Sequence, residues 1–190
     1  MFSNKFFYIF LIIILLVIIA FIVVHSGLFP VLSINGTWVS YQDYQNQYDA
    51  VRRLPRLLAS NLTSLKIADD KTAINATEIK KITITKFIED SLVLAEAKKI
   101  LGSQFDTLMD QQLQAPETFN YIDFSQSELD RSAFTSFIAR PFLAHYVVVD
   151  NFTHNGINFD DWLEKQMKAS TIKIFLPGVK ILSDNQVSVE

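Results

Sequence analysis

A chain of 190 residues is long enough for one ordinary domain plus an appendage. It has no cysteine, which excludes disulfides, zinc–thiolate sites and thiol chemistry. A net charge of −3, with no basic cluster, excludes nucleic acid as a partner.

The appendage comes first. From Phe6 to Val24 the run "FFYIFLIIILLVIIAFIVV" is wholly apolar or aromatic. At about 1.5 Å per residue it covers roughly 28 Å, close to the hydrocarbon thickness of a bilayer. A cleaved signal peptide has a shorter apolar stretch and a small-residue cleavage site, and Val24-His25-Ser26 is a poor one. The expectation is an uncleaved transmembrane helix over about 6–24. Residues 1–25 then form a cytoplasmic tip and anchor, and residues 26–190 an extracytoplasmic domain. Orientation follows from Lys5 before the span, since the next basic residues are Arg52 and Arg53.

After the breaker "HSGLFP", Val31 to Asn35 reads as a strand and Asn35-Gly36 as a turn. Ser40 and Asp43 have capping-box spacing and open a helix. Tyr41, Tyr44, Tyr48, Val51, Leu54 and Leu58 share one of its faces, and Pro55 is expected to kink or end it. Residues 60–82 read as a loop with a short helical piece. "TKFIEDSLVLAEAKKILG" is the clearest helix, with Ile84, Ile88, Leu92, Ala95 and Lys99 in one row. Phe87, Leu94 and Leu101 lie beside that row, and Gly102 is the expected C-terminal cap. Ser103–Gln114 predicts a further helix, with Phe105, Leu108, Met109 and Leu113 inside. "APETFNYIDF" is a connection rich in aromatics.

Ser125 and Glu128 predict another capping box, opening a helix with Leu129, Ala133, Phe137 and Ile138 on its apolar face. Pro141 should kink or divide that helix. Asn158 caps a last helix, "FDDWLEKQMKAS", and "TIKIFLP" alternates as a strand, apolar at Ile172, Ile174 and Leu176. The predicted fold is mainly α. A small two-stranded sheet is expected to pair the two distant strands and join the start of the domain to its end.

Little in the chain suggests catalysis. His25, His145 and His154 form no metal-binding pattern, and His145, in an apolar run, reads as a packed residue. The carboxylate pairs Asp69-Asp70, Glu89-Asp90 and Asp160-Asp161 read as solvated helix faces and dipole partners, since adjacent helical residues point apart. No G-x-S-x-G or phosphate loop occurs. No enzyme, metal or cofactor is expected. Asn35, Asn61, Asn75 and Asn151 each open an Asn-x-Thr triplet, read as chance in a chain rich in these residues. Phe119, Tyr121 and Phe124 lie in a connection. If exposed they would form an apolar patch that binds extended protein segments, and otherwise they plug the core between helices.

Three stretches in order resemble one family. "VLSINGTWVSYQDYQNQY", "FIEDSLVLAEAKKILG" and "FDDWLEKQMKASTIKIF" are similar to the opening, central helix and closing unit of the SurA/PrsA-type extracytoplasmic chaperone domain. The resemblance implies a helical chaperone domain whose first and last strands join in one sheet. In that family a parvulin-type prolyl isomerase domain often precedes the closing unit. Here only about 55 residues separate Gly102 from Asn158, too few for one. The implied function is a membrane-anchored, non-catalytic holdase for non-native or partner proteins. The alternative is an anchored scaffold or subunit of an envelope complex.

Overall fold

Asn35 and Gly36 both have positive φ, 51° and 84°. Two such residues in succession make the hairpin turn whose twist matches that of paired strands. The computed structural model describes residues 4–61, 75–114, 124, 129–182 and 186–189, with the backbone alone at 4–7, 24 and 56–61. In it, β1 (Pro30–Ile34) folds straight back into β2 (Thr37–Ser40), with Ile34 opposite Thr37, Ser33 opposite Trp38 and Leu32 opposite Val39. A bulge between Pro30 and Leu32 shifts the register by one residue. The other edge of β1 takes β3 (Ile172–Ile174), antiparallel, with Leu32 opposite Ile174 and Ile34 opposite Ile172.

The two expected strands therefore do pair, but the sheet is three-stranded, in the order β2-β1-β3. The expectation of two strands missed Thr37–Ser40, because the helix signal at Ser40 masked the short strand before it. A second antiparallel pair was also unforeseen: β4 (Val179–Ile181) with β5 (Val187–Val189).

Before the sheet lies α1 (Asn4–His25), with apolar side chains from Tyr8 to Ile22 exposed. Its end has the form of a Schellman cap. Gly27 takes φ +66°, the Leu28 N–H donates to the Val23 carbonyl, and the Ser26 N–H donates to that of Ile22.

α2 (Tyr41–Asn61) starts at the expected cap, where the Asp43 N–H donates to Ser40 Oγ at 3.0 Å and that hydroxyl donates to the Asp43 carboxylate. Pro55 sits inside α2 and does not end it. α3 (Ala76–Leu101) begins nine residues before the expected Thr85. Asn75 caps it, its Oδ1 accepting from the Glu78 N–H at 2.8 Å, so one of the Asn-x-Thr triplets read as chance opens a helix. Gly102 ends α3 as expected, its N–H donating to the Lys98 carbonyl. Ala95 and Lys99 are exposed. Thr83, Val93 and Ala97 are buried instead, because the apolar stripe drifts around a helix this long.

A 3-10 turn, Gly102–Gln104, leads into α4 (Phe105–Gln114). A helical turn α5 (Arg131–Phe134) follows, capped by Asp130 Oδ2, which accepts from the Ser132 and Ala133 N–H groups. Ser125 and Glu128 lie outside the described residues. The backbone then widens into a π turn over Thr135–Ala139 before α6 (Arg140–His154). Pro141, at the start of α6, lacks the N–H that would bond the Phe137 carbonyl, and the helix absorbs that loss by widening rather than breaking. α7 (Phe159–Ala169) is capped by Asn158, whose Oδ1 accepts from the Asp161 N–H.

Three cores result. The sheet, α2, α3 and the β4–β5 hairpin bury Leu32, Ile34, Tyr44, Ile84, Ile88, Val179 and Val187 together. α3, α4 and α6 bury Val93, Ala97, Phe105, Met109, Ala144, Val148 and Phe152, with Trp162 of α7 edge-on to Phe152. α2, α5 and the π turn close on Ala50, Leu129, Phe134 and Ala139. Among the described residues the run Arg131–His154 is long and apolar enough to cross a bilayer by length and composition, but its inner row fills the second and third cores, and Tyr8–Val23 is a shorter apolar helix.

Candidate functional site

The three- and four-residue steps from Tyr41 to Tyr44 to Tyr48 put three phenols on one face of α2. Their ring centroids stand 6.3 and 6.1 Å apart, and Phe29 stacks on Tyr41 at 4.8 Å. The three tyrosines floor an open cleft of about 480 Å³. One wall is the first turns of α3, through Ala76, Thr77 and Lys80, and Gln45 stands at the rim. Leu176, just after β3, and Val189 of β5 supply the apolar wall. The Lys80 ammonium donates to the Pro177 carbonyl at 2.8 Å and so pins the β3–β4 connection against α3.

The row is graded in exposure. Tyr44 is 6 % exposed, whereas Tyr41 and Tyr48 are half-buried, and all three line the cleft. Burial, with the neighbouring phenols of Tyr48 and Tyr41 adding to it, pushes the Tyr44 hydroxyl up to about 12. A trough floored by phenol rings, with Leu176 and Val189 on one side and Lys80 on the other, suits an extended, largely apolar segment. Such a segment gains by area burial and dispersion, with hydrogen bonds from the phenols.

Beside this cleft, the buried face of α2 meets α3 through one polar set. Gln47, only 1 % exposed, donates from Nε2 to Asp90 Oδ2 at 3.3 Å, and Lys86 Nζ lies 2.9 Å from the same carboxylate. Burial raises the pKa of Asp90, and the Lys86 charge, the Lys86 and Gln47 hydrogen bonds and His145 oppose the rise. This carboxylate was expected on a solvated face. Its burial comes from the packing of α2 on α3.

Of the three aromatics read as either a binding patch or a core plug, Phe119 and Tyr121 lie outside the described residues. Phe124 is half-buried, its ring edge-on to Phe134 at 5.3 Å in the third core. His145 is exposed rather than packed inside, though its ring meets the Phe159 edge at 4.5 Å. His25 stacks on Phe21, and His154 Nδ1 sits 2.8 Å from the Asp150 carbonyl. Among the described residues no three potential metal ligands gather. The tyrosine face was visible in the sequence as a helix stripe. Its role as a cleft floor was not, because Leu176 and Val189 reach it only through the C-terminal strands.

A family model described as the SurA-like N-terminal domain matches residues 2–138. No curated protein and no solved structure matches the chain. The match extends from the apolar helix into the π turn, and residues beyond it supply β3, which completes the sheet begun by β1. With its hairpin, tyrosine-bearing α2 and long central α3 all inside the matched region, the chain belongs to the SurA-like N-terminal domain family.

Proposed function

We propose that the chain is a bilayer-tethered, extracytoplasmic holdase. It retains non-native protein segments in the tyrosine cleft and has no prolyl isomerase activity. The observation that carries this reading is the Tyr41–Tyr44–Tyr48 row, beneath an open trough walled by Leu176 and Val189. Membership of a chaperone-like family supports the same reading. The exposed apolar surface of α1 supports the tether, since its 22 residues reach about 33 Å at 1.5 Å per residue, enough to cross a bilayer core. Lys5 ahead of the apolar run favours a cytoplasmic N-terminus. Tethering holds a weak binder at high effective concentration where chains emerge from the membrane.

The test is light scattering of a chemically denatured client diluted into buffer with the full chain in nanodiscs. Scattering should fall as the chain is added in rising ratio, and a proline-containing peptide should isomerise at its uncatalysed rate. Scattering equal to that with empty nanodiscs would remove the holdase reading. A single stable partner co-purifying in detergent would then favour the scaffold.

A further inference from the structure

Trp38 and Phe175 are large aromatics on the sheet, and they are left 61 % and 50 % exposed. They stack on each other across the sheet at 5.6 Å with an interplanar angle of 22°. Cross-strand partners point to the same face, and Trp38 is aligned through Ser33 with Lys173, so Lys173 stands on that face too. The Phe175 N–H donates to the Val31 carbonyl, one residue into β1, which sets Phe175 at the end of the sheet nearest α1. Leu28, between α1 and β1, is also exposed.

The connection between α1 and this sheet has a bonded backbone group at every residue. Ser26 and Leu28 donate back into the last turn of α1. The Gly27 carbonyl accepts from the Gln42 N–H at 3.0 Å, and the Phe29 carbonyl accepts from the Tyr41 N–H at 2.9 Å. A Cβ on Gly27 would meet Gln42 at 3.5 Å, so the helix end and the start of α2 are in near contact. A joint bonded in this way holds the sheet at a set orientation to α1 and does not act as a free linker.

We propose that Leu28, Trp38, Phe175 and Lys173 form a platform that lies in the interfacial layer of the bilayer crossed by α1. The inference rests on the reading of α1 as a membrane span. Tryptophan is favoured at the headgroup level, where an apolar ring meets water, and a lysine beside it reaches anionic headgroups. Exposed Leu28 follows the exposed apolar surface of α1, Phe175 lies at the end of the sheet nearest α1, and the basic residue lies on the same face as Trp38. A lipid surface meets both features at once. The platform sets the tilt of the domain, and with it the direction in which the tyrosine cleft opens.

The test uses the full chain in vesicles of phosphatidylcholine and phosphatidylglycerol. Trp162→Phe leaves Trp38 as the only tryptophan, and a second variant, Trp38→Phe, leaves Trp162 as the internal comparison. Because the chain has no cysteine, Lys173→Cys gives a unique position for an environment-sensitive fluorophore in an otherwise unaltered core. The expected result is blue-shifted Trp38 emission, mostly quenched when the lipid is brominated near its headgroup end, with a matching blue shift at position 173. Flotation of the vesicles reports the anchor separately. Chain that floats with the vesicles while Trp38 is quenched by aqueous iodide and not by brominated lipid overturns the platform and leaves the anchor standing. Chain that does not float overturns both. Protection of Trp38 only on addition of an unfolded client would assign the face to protein instead of lipid.

Discussion

Asn35 and Thr171, 136 residues apart, bond each other twice. The Asn35 N–H donates to the Thr171 carbonyl at 2.9 Å, and the Thr171 N–H donates to Asn35 Oδ1 at 2.9 Å. Asn35 Nδ2 adds a bond to Ser170 Oγ at 3.2 Å. The residue that turns the first hairpin thus also clasps the junction of α7 and β3. Asn35→Gly keeps the positive φ and removes the two side-chain bonds, so it should cost about 1–2 kcal/mol. Asn35→Ala loses the same bonds and must also hold φ at 51°, adding about 1–2 kcal/mol. Urea midpoints of the two variants, at unchanged slope, separate these contributions.

Asp90 predicts a loss of stability with rising pH. Burial, the largest cause, lifts its pKa above the ordinary 3.8 despite Lys86 and Gln47. The folded state therefore binds its proton more tightly than the unfolded chain does. The stability gained is fully present below pH 3.8 and is lost as pH rises through the folded value. Glu89, raised from 4.5 by burial and by Asp90, acts in the same direction. Urea midpoints from pH 3 upward should fall less steeply for Asp90→Asn than for the wild type, with a residual slope from Glu89. An unchanged slope would show that the carboxylate is solvated.

Tyr44 extends the same logic to alkaline pH. Its hydroxyl, ordinarily near 10.0, is pushed up to about 12, chiefly by burial. Its contribution is complete below pH 10 and is lost as pH climbs toward 12. Tyrosinate absorbance near 295 nm should show a late step that Tyr44→Phe removes. The same variant should also resist alkaline unfolding better than the wild type.

The holdase reading predicts a separation between folding and binding. Tyr41 and Tyr48 are half-buried parts of the cleft floor, so replacing both with Ser trims the floor without opening the sheet. Suppression of client aggregation should drop several-fold while circular dichroism and the urea slope stay close to the wild type. Ile88→Ala, at a fully buried site facing the sheet, should do the reverse. It should cost about 2–5 kcal/mol and leave the cleft residues in place.

Local signals were legible where neighbours in sequence decide the outcome. The Ser40–Asp43 box, the Gly102 cap and the Asn158 cap all stand where their spacing put them, since each is satisfied within one helical turn. Pro55 and Pro141 show the limit. Both remove a backbone donor, yet α2 runs on through one and a π turn absorbs the other. Surrounding packing sets which of these outcomes is cheaper.

The sequence by itself determined the helical character, the two strand signals and the turns, because hydrophobic period and turn chemistry are local properties. The pairing of the two distant strands was legible through the family resemblance. Only the tertiary structure decided that β2 widens the sheet, that Asp90 is partly buried against Gln47, and that Leu176 and Val189 wall a cleft above the tyrosines. Those features arise from groups far apart in the chain. Burial and proximity are properties of the packed whole, and no single stretch of sequence contains them.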